Sequence, residues 1–211
     1  MLRSRRHFVQ MAAASVLAIA VPIAPAQAQW LEPVLKALQA IGAALNIAAI
    51  LAPWLHDLAA DKRCKVTIDD LENIKIDCDI LSQTIDDQVI PLLSSFVINK
   101  DNRNWKKVKI SVATLLADGI VLMGNINKVL AQFDETTYPA SKDDIEKLYH
   151  GIDDIRATMV ILGRLPDNPD PVDYKLAGEV LSAISSFPEM AKVAVEKLQI
   201  AIDERQKLNC P

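Results

Sequence analysis

Residues 30–58 are apolar on every side of any helix they could form. From 37 to 55 they run for 19 residues without a charge, and only Gln39 and Asn46 interrupt them as polar positions. A helix of that kind has to be buried, in a protein core or in a bilayer. Farther along, apolar residues recur at helical spacing on a single stripe. Trp105, Val108, Val112, Leu115, Gly119, Leu122, Ile126 and Val129 predict a helix over about 105–133. Ile145, Leu148, Ile152, Ile155, Met159 and Leu162 predict the next, with Ser141 and Asp144 placed to cap its start. Val180, Ile184, Phe187, Ala191, Val195, Leu198 and Ile202, with Leu176 ahead of them, predict a last helix over about 172–208, bent or split by Pro188. The fold class expected is all-α: a bundle of about five helices around the apolar N-terminal one.

That first helix, roughly residues 31–60, is rich in small side chains. Gly42, Ala44, Ala48 and Ala52 let another helix approach closely, in water or in lipid. Its uncharged run is long enough to span a membrane. Gln39, Asn46 and Pro53 weaken that reading and favour a central helix buried in the bundle.

Residues 64–78 carry two patterns at once. Folded about Leu71, they place Cys64 opposite Cys78, Val66 opposite Ile76 and Ile68 opposite Ile74, all on one face of a β-hairpin. Such a hairpin brings the two cysteines within bridging distance. The competing pattern is helical: Leu71, Ile74, Cys78, Leu81, Ile85, Val89 and Leu92 form a stripe, with Thr67 and Asp70 able to cap it. In a helix the two cysteines would stand about 20 Å apart along the axis, and Val66, Ile68 and Ile76 would point away from the stripe. The hairpin is preferred. A helix then begins near Asp79, runs to about Val97 and kinks at Pro91.

The N-terminus has a different character. Residues 1–28 hold Arg3, Arg5 and Arg6, no acid, an apolar run over 11–23, and Ala26-Gln27-Ala28 as a small-x-small cleavage site. Ser4-Arg5-Arg6-His7-Phe8 resembles the twin-arginine export motif, with Val9 and Gln10 standing where Leu and Lys usually follow. That resemblance covers the leader alone and implies export to the bacterial periplasm, in many cases of an already folded protein. The ordinary secretory route is the alternative. Residues 1–28 are then a signal peptide and 29–211 a single helical domain.

Composition narrows the chemistry. The leader takes three of the 23 basic residues and none of the 27 acidic ones, so the mature chain is net −7. Such a surface repels phosphate backbones, and nucleic acid is not an expected partner. Three cysteines in an oxidising compartment leave one over. With Cys64 bridged to Cys78, Cys210 is available to bridge to a partner; alternatively Cys210 staples the C-terminal helix to one of the other two. No Cys-x-x-Cys occurs, which leaves redox and c-type haem motifs unsupported.

His56 and His150 are the histidines outside the leader. Glu146, His150, Asp153 and Asp154 share a helix face and could hold a divalent cation; the commoner meaning of such a face is solvated salt links. The acidic pairs Asp69-Asp70, Asp86-Asp87, Asp143-Asp144 and Asp153-Asp154 read as helix faces and first turns, where acids suit the helix dipole. No catalytic set and no cofactor motif stands out. The function expected is non-catalytic: binding a protein or an apolar ligand. The alternatives are a membrane-active or membrane-anchored protein using helix 31–58, and a carboxylate-dependent enzyme.

Overall fold

The computed structural model describes residues 30–58, 62, 64–100, 102–167 and 174–207. The expected signal peptide, Cys210 and residues 168–173 lie outside them. Seven α-helices appear among the described residues: α1 (Leu31–Asp57), α2 (Ile68–Gln83), α3 (Ile90–Asn99), α4 (Trp105–Leu130), α5 (Lys142–Arg164), α6 (Tyr174–Ile184) and α7 (Phe187–Gln206). A π-helical segment, Thr84–Val89, joins α2 to α3 without a break. The class is all-α, built around the apolar N-terminal helix.

Helix α1 packs against α7, α5, α4 and α6. Its exposed positions include Glu32, Lys36, Gln39, Asn46 and Pro53, which fall on one narrow line at spacings of three, four and seven. The two polar interruptions of the apolar run thus mark the side of the helix that meets solvent. Val34, Leu38, Ile41, Leu45, Ala48 and Leu51 on the other sides are buried. Both α1 and α4 are long and apolar enough to cross a membrane by length and composition.

The chain runs up and down. Trp30 stacks edge-on against Trp105, and Trp54 against Phe133, so α4 runs parallel to α1. Lys36 pairs with Asp154 while Thr158 bonds the Pro33 carbonyl, so α5 runs antiparallel. Phe187 lies beside Gly42 and His56 beside Glu204, which makes α7 parallel again. Helix α2 runs antiparallel to α4 and closes the side between α4 and α7. One end of the bundle is an aromatic cluster in which Phe96 bridges Trp105 and Tyr174.

Residues 64–78 are not a hairpin. Among the described residues there is no strand, and α2 begins at Ile68, eleven positions before Asp79. The Thr67 hydroxyl accepts from the Asp70 amide and the Asp70 carboxylate accepts from the Thr67 amide, a reciprocal cap that starts the helix. The helical stripe Leu71, Ile74, Cys78, Leu81, Ile85 and Val89 is fully buried. Of the residues that spoke against a helix, Val66 is buried ahead of it and Ile68 is partly covered; Ile76 points to solvent, 51% exposed. Cys78 is consequently a free thiol in the core, and the expected Cys64–Cys78 bridge is not made. Cys64 is disulfide-bonded otherwise.

Two prolines shape the helices around them. Just before Pro91, where a kink is expected, the chain takes the π-helical turn. Proline lacks an N–H and crowds the carbonyl four residues back, and a wider turn relieves that crowding. Pro188 stands in the first turn of α7, where proline is tolerated, and the last helix is split as expected. The cap predicted at Ser141 is present, its hydroxyl accepting from the Asp144 amide at 3.1 Å.

Candidate functional site

The end of the bundle opposite the aromatic cluster gathers the last turns of α1 and α7 and the entry to α2. Because α1 and α7 run parallel, their C-terminal turns lie side by side. Ala52 and Ala201 face the gap with small side chains, so the helices leave an open cleft of about 370 Å³ there. Leu55 from α1, and Val66 and Leu71 from the α2 side, complete apolar walls. That volume falls within the range of small-molecule sites, which are concave, mostly apolar and edged by a few polar groups.

The polar groups are His56, Glu204, Arg205 and Lys207. Arg205 holds the α2 entry in place: its Nε donates to the Val66 carbonyl at 2.8 Å and a terminal nitrogen donates to the Cys64 carbonyl at 3.0 Å. Burial pushes its guanidinium below the ordinary arginine range. His56 Nδ1 lies 3.1 Å from Glu204 Oε2, a contact that crosses from α1 to α7. A second depression of about 300 Å³ opens beside the first and shares Ala52, His56, Ala201 and Glu204 with it.

A separate polar seam runs between α2 and α4. Asp70, Asp77 and Thr84, each seven residues apart, meet Lys128, Asn125 and Asp118 in turn. Burial alone would raise the Asp70 carboxyl; bonds from Lys128 and Thr67 outweigh it and hold the group below the usual range. At Asp77 burial wins: the carboxyl is raised, with Asp118 adding to the rise and the Asn125 bond opposing it. Thr84 donates to Asp118 at 2.7 Å. The seam is closed by its own partners and has the form of a structural clasp.

The predicted site residues are spread along α5, and three of the four have an ion-pair partner of their own. Asp154 meets Lys36, Asp153 meets Arg156 and Glu146 meets Lys142; His150 is exposed on the same helix. Among the described residues no three His, Cys, Asp or Glu side chains come together as a cation-holding group. Asp69-Asp70 and Asp143-Asp144 lie in first turns, as acids at helix starts should.

The cleft escaped the reading of the sequence because its walls come from residues 52–71 and 201–207. One signal was present. Arg205 falls seven residues after Leu198 and three after Ile202, a charge on the inward stripe of α7, where it needs buried partners.

Fold and cleft together define an all-α bundle with an apolar-walled, polar-edged groove between parallel helix ends. No family model matches the chain, and no curated protein or solved structure matches it at a significant level.

Proposed function

We propose that the protein is exported to the bacterial periplasm and acts without catalysis, by holding an apolar ligand in the cleft between α1, α2 and α7. The cleft is the observation that carries this reading: about 370 Å³ of space walled by Ala52, Leu55, Val66, Leu71 and Ala201. Export rests on the twin-arginine-like leader and its cleavage pattern.

The test is titration of the purified protein with anilinonaphthalene sulfonate, which fluoresces on entering an apolar site. Saturable uptake by the native protein is expected, falling at least tenfold in affinity when Ala201→Trp fills the cleft. Unchanged uptake by that variant, with an unchanged helical circular dichroism spectrum, would refute the assignment of the cleft.

A further inference from the structure

We infer that the aromatic end of the bundle docks on the surface of an anionic lipid bilayer, with Ile98 as its apolar anchor. This end lies opposite the cleft, and the contact does not depend on the cleft. An uneven spread of charge points to it. The start of α1, the corner from α3 into α4 and the end of α5 meet there. Among the described residues they carry Lys100, Arg103, Lys106, Lys107, Lys109 and Arg164 against Glu32 and Asp167, a net +4. Farther along α1 and α5, Lys36 with Asp154 and Arg156 with Asp153 cancel in pairs. By connectivity Asp101, Asp170, Asp173 and Lys175 belong to the same stretches, and counting them lowers the end to +2. Residues 29–211 total −7, so everything outside this end carries −9. The molecule is polarised, and its basic end is the one that an anionic surface attracts.

The apolar element stands at the same corner. Ile98, in the last turn of α3, is 77% exposed, more than any other large apolar side chain described. Phe96, two residues earlier, is buried between Trp105 and Tyr174 and ties this turn to the core. The chain then turns at Lys100, whose φ of 49° is the one left-handed non-glycine backbone among the described residues. The Lys100 carbonyl accepts from the Tyr174 hydroxyl at 2.8 Å, which holds that turn in place. Lys106 and Lys107 are exposed in the first turn of α4, and Ile110, four and three positions on, is 58% exposed. Isoleucines set among lysines suit a lipid surface. The apolar group enters between head groups, while the long lysine stems keep their ammonium groups at the level of the phosphates.

The leader favours lipid over an acidic protein as the occupant. Residues 1–28, the expected signal peptide, join the domain just ahead of Trp30, and Trp30 stacks on Trp105 in this cluster. A leader held in a bilayer by its apolar run over 11–23 sets this end, and not the acidic remainder, against the lipid surface.

The experiment is flotation of the purified protein with vesicles of phosphatidylcholine alone and of phosphatidylcholine mixed with phosphatidylglycerol. The protein should float with the mixed vesicles at low salt and stay behind with phosphatidylcholine. It should be released in about 1 M salt, where the screening length falls to about 3 Å. Ile98→Ser should weaken binding by about tenfold, and Lys100→Gln combined with Lys107→Gln by about 25-fold, roughly fivefold for each charge removed. Ile76→Ser, on an exposed face of α2 away from this end, should leave binding unchanged. Circular dichroism checks that each variant keeps its helices. Equal flotation with both vesicles, or flotation that survives salt, would place the contact in an inserted apolar segment and overturn the proposal. Native affinity in both the Ile98 and the lysine variants would overturn it as well. Absence of flotation at low salt sinks the lipid contact, and retention on immobilised polyglutamate would then assign this end to an acidic protein. None of these variants touches the cleft, so failure here leaves the ligand-binding reading standing.

Discussion

Gly151 of α5 lies so close to Ala40 of α1 that a Cβ built on it would stand 2.5 Å from the Ala40 Cβ. Met123 crowds the same spot from α4. The absence of a side chain is what lets these helices touch. Met123 is flexible and can swing aside, whereas the Ala40 Cβ is fixed to a helix backbone. Gly151→Ala therefore has to push α5 off α1, at a cost of about 1–3 kcal/mol, against a gain in helix propensity of up to about 1 kcal/mol. Gly124 is also helical, but a Cβ there meets nothing within 4 Å. In urea melts Gly124→Ala should match or exceed the native midpoint and Gly151→Ala should fall below it. Equal midpoints for the two variants would show that α5 does not rest on Gly151.

The two acids of the α2–α4 seam should respond to pH in opposite senses. The Asp70 carboxyl is lowered in the fold, so its contribution is fully present above the ordinary aspartate range of about 3.9 and is lost as pH falls through the lowered folded value. Asp70→Asn should depress Tm at neutral pH by about 2–4 °C, the change a domain of this size shows for roughly 1 kcal/mol. Asp77 is raised, so its charged form costs stability above the raised value, and the cost disappears as pH falls below the unfolded one. Asp77→Asn keeps an acceptor for Asn125 and should raise Tm at neutral pH, the gain shrinking on acidification. Thermal melts of both variants across the acid range check the signs; parallel curves would contradict them.

Thiol chemistry separates the cysteines. Cys78 is buried at the centre of α2, and burial, helped by Asp77 and Asp79, pushes its thiol up to about 12. It should resist alkylation in the native protein, since the thiolate is the reactive form. In guanidinium without reductant one thiol should label, and peptide mapping should place it at Cys78. Cys64 is disulfide-bonded, and a non-reduced digest should return its peptide in a linked form that does not contain Cys78. Recovery of a 64–78 peptide instead would contradict the helical α2.

Helical periodicity made most of this architecture legible. The stripes of α4 and α7 are buried almost residue for residue, and Pro188 splits the last helix as its ring requires. Residues 64–78 misled because Val66, Ile68, Ile74 and Ile76 alternate as strand residues do, while Leu71, Ile74 and Cys78 also repeat as helix residues do. What decided the outcome was local: the Thr67–Asp70 cap, which nucleates a helix at the cost of one exposed isoleucine turn. The cleft was illegible for another reason. Ala52 and Ala201 are ordinary helix alanines until the parallel packing of α1 and α7 sets them face to face. That packing is a property of five helices together and of no single stretch of sequence.

The placement of α1 has a consequence for how the chain comes into being. The helix at the centre is the first to leave the ribosome, yet α5, α6 and α7, which cover much of it, are the last. Contacts such as His56 with Glu204 join points 148 residues apart. Until α5, α6 and α7 emerge this long apolar helix lacks much of its sheath, and uncovered surface of that kind is prone to aggregate. A chain cut short before Phe187 leaves α1 with its α7-facing side bare.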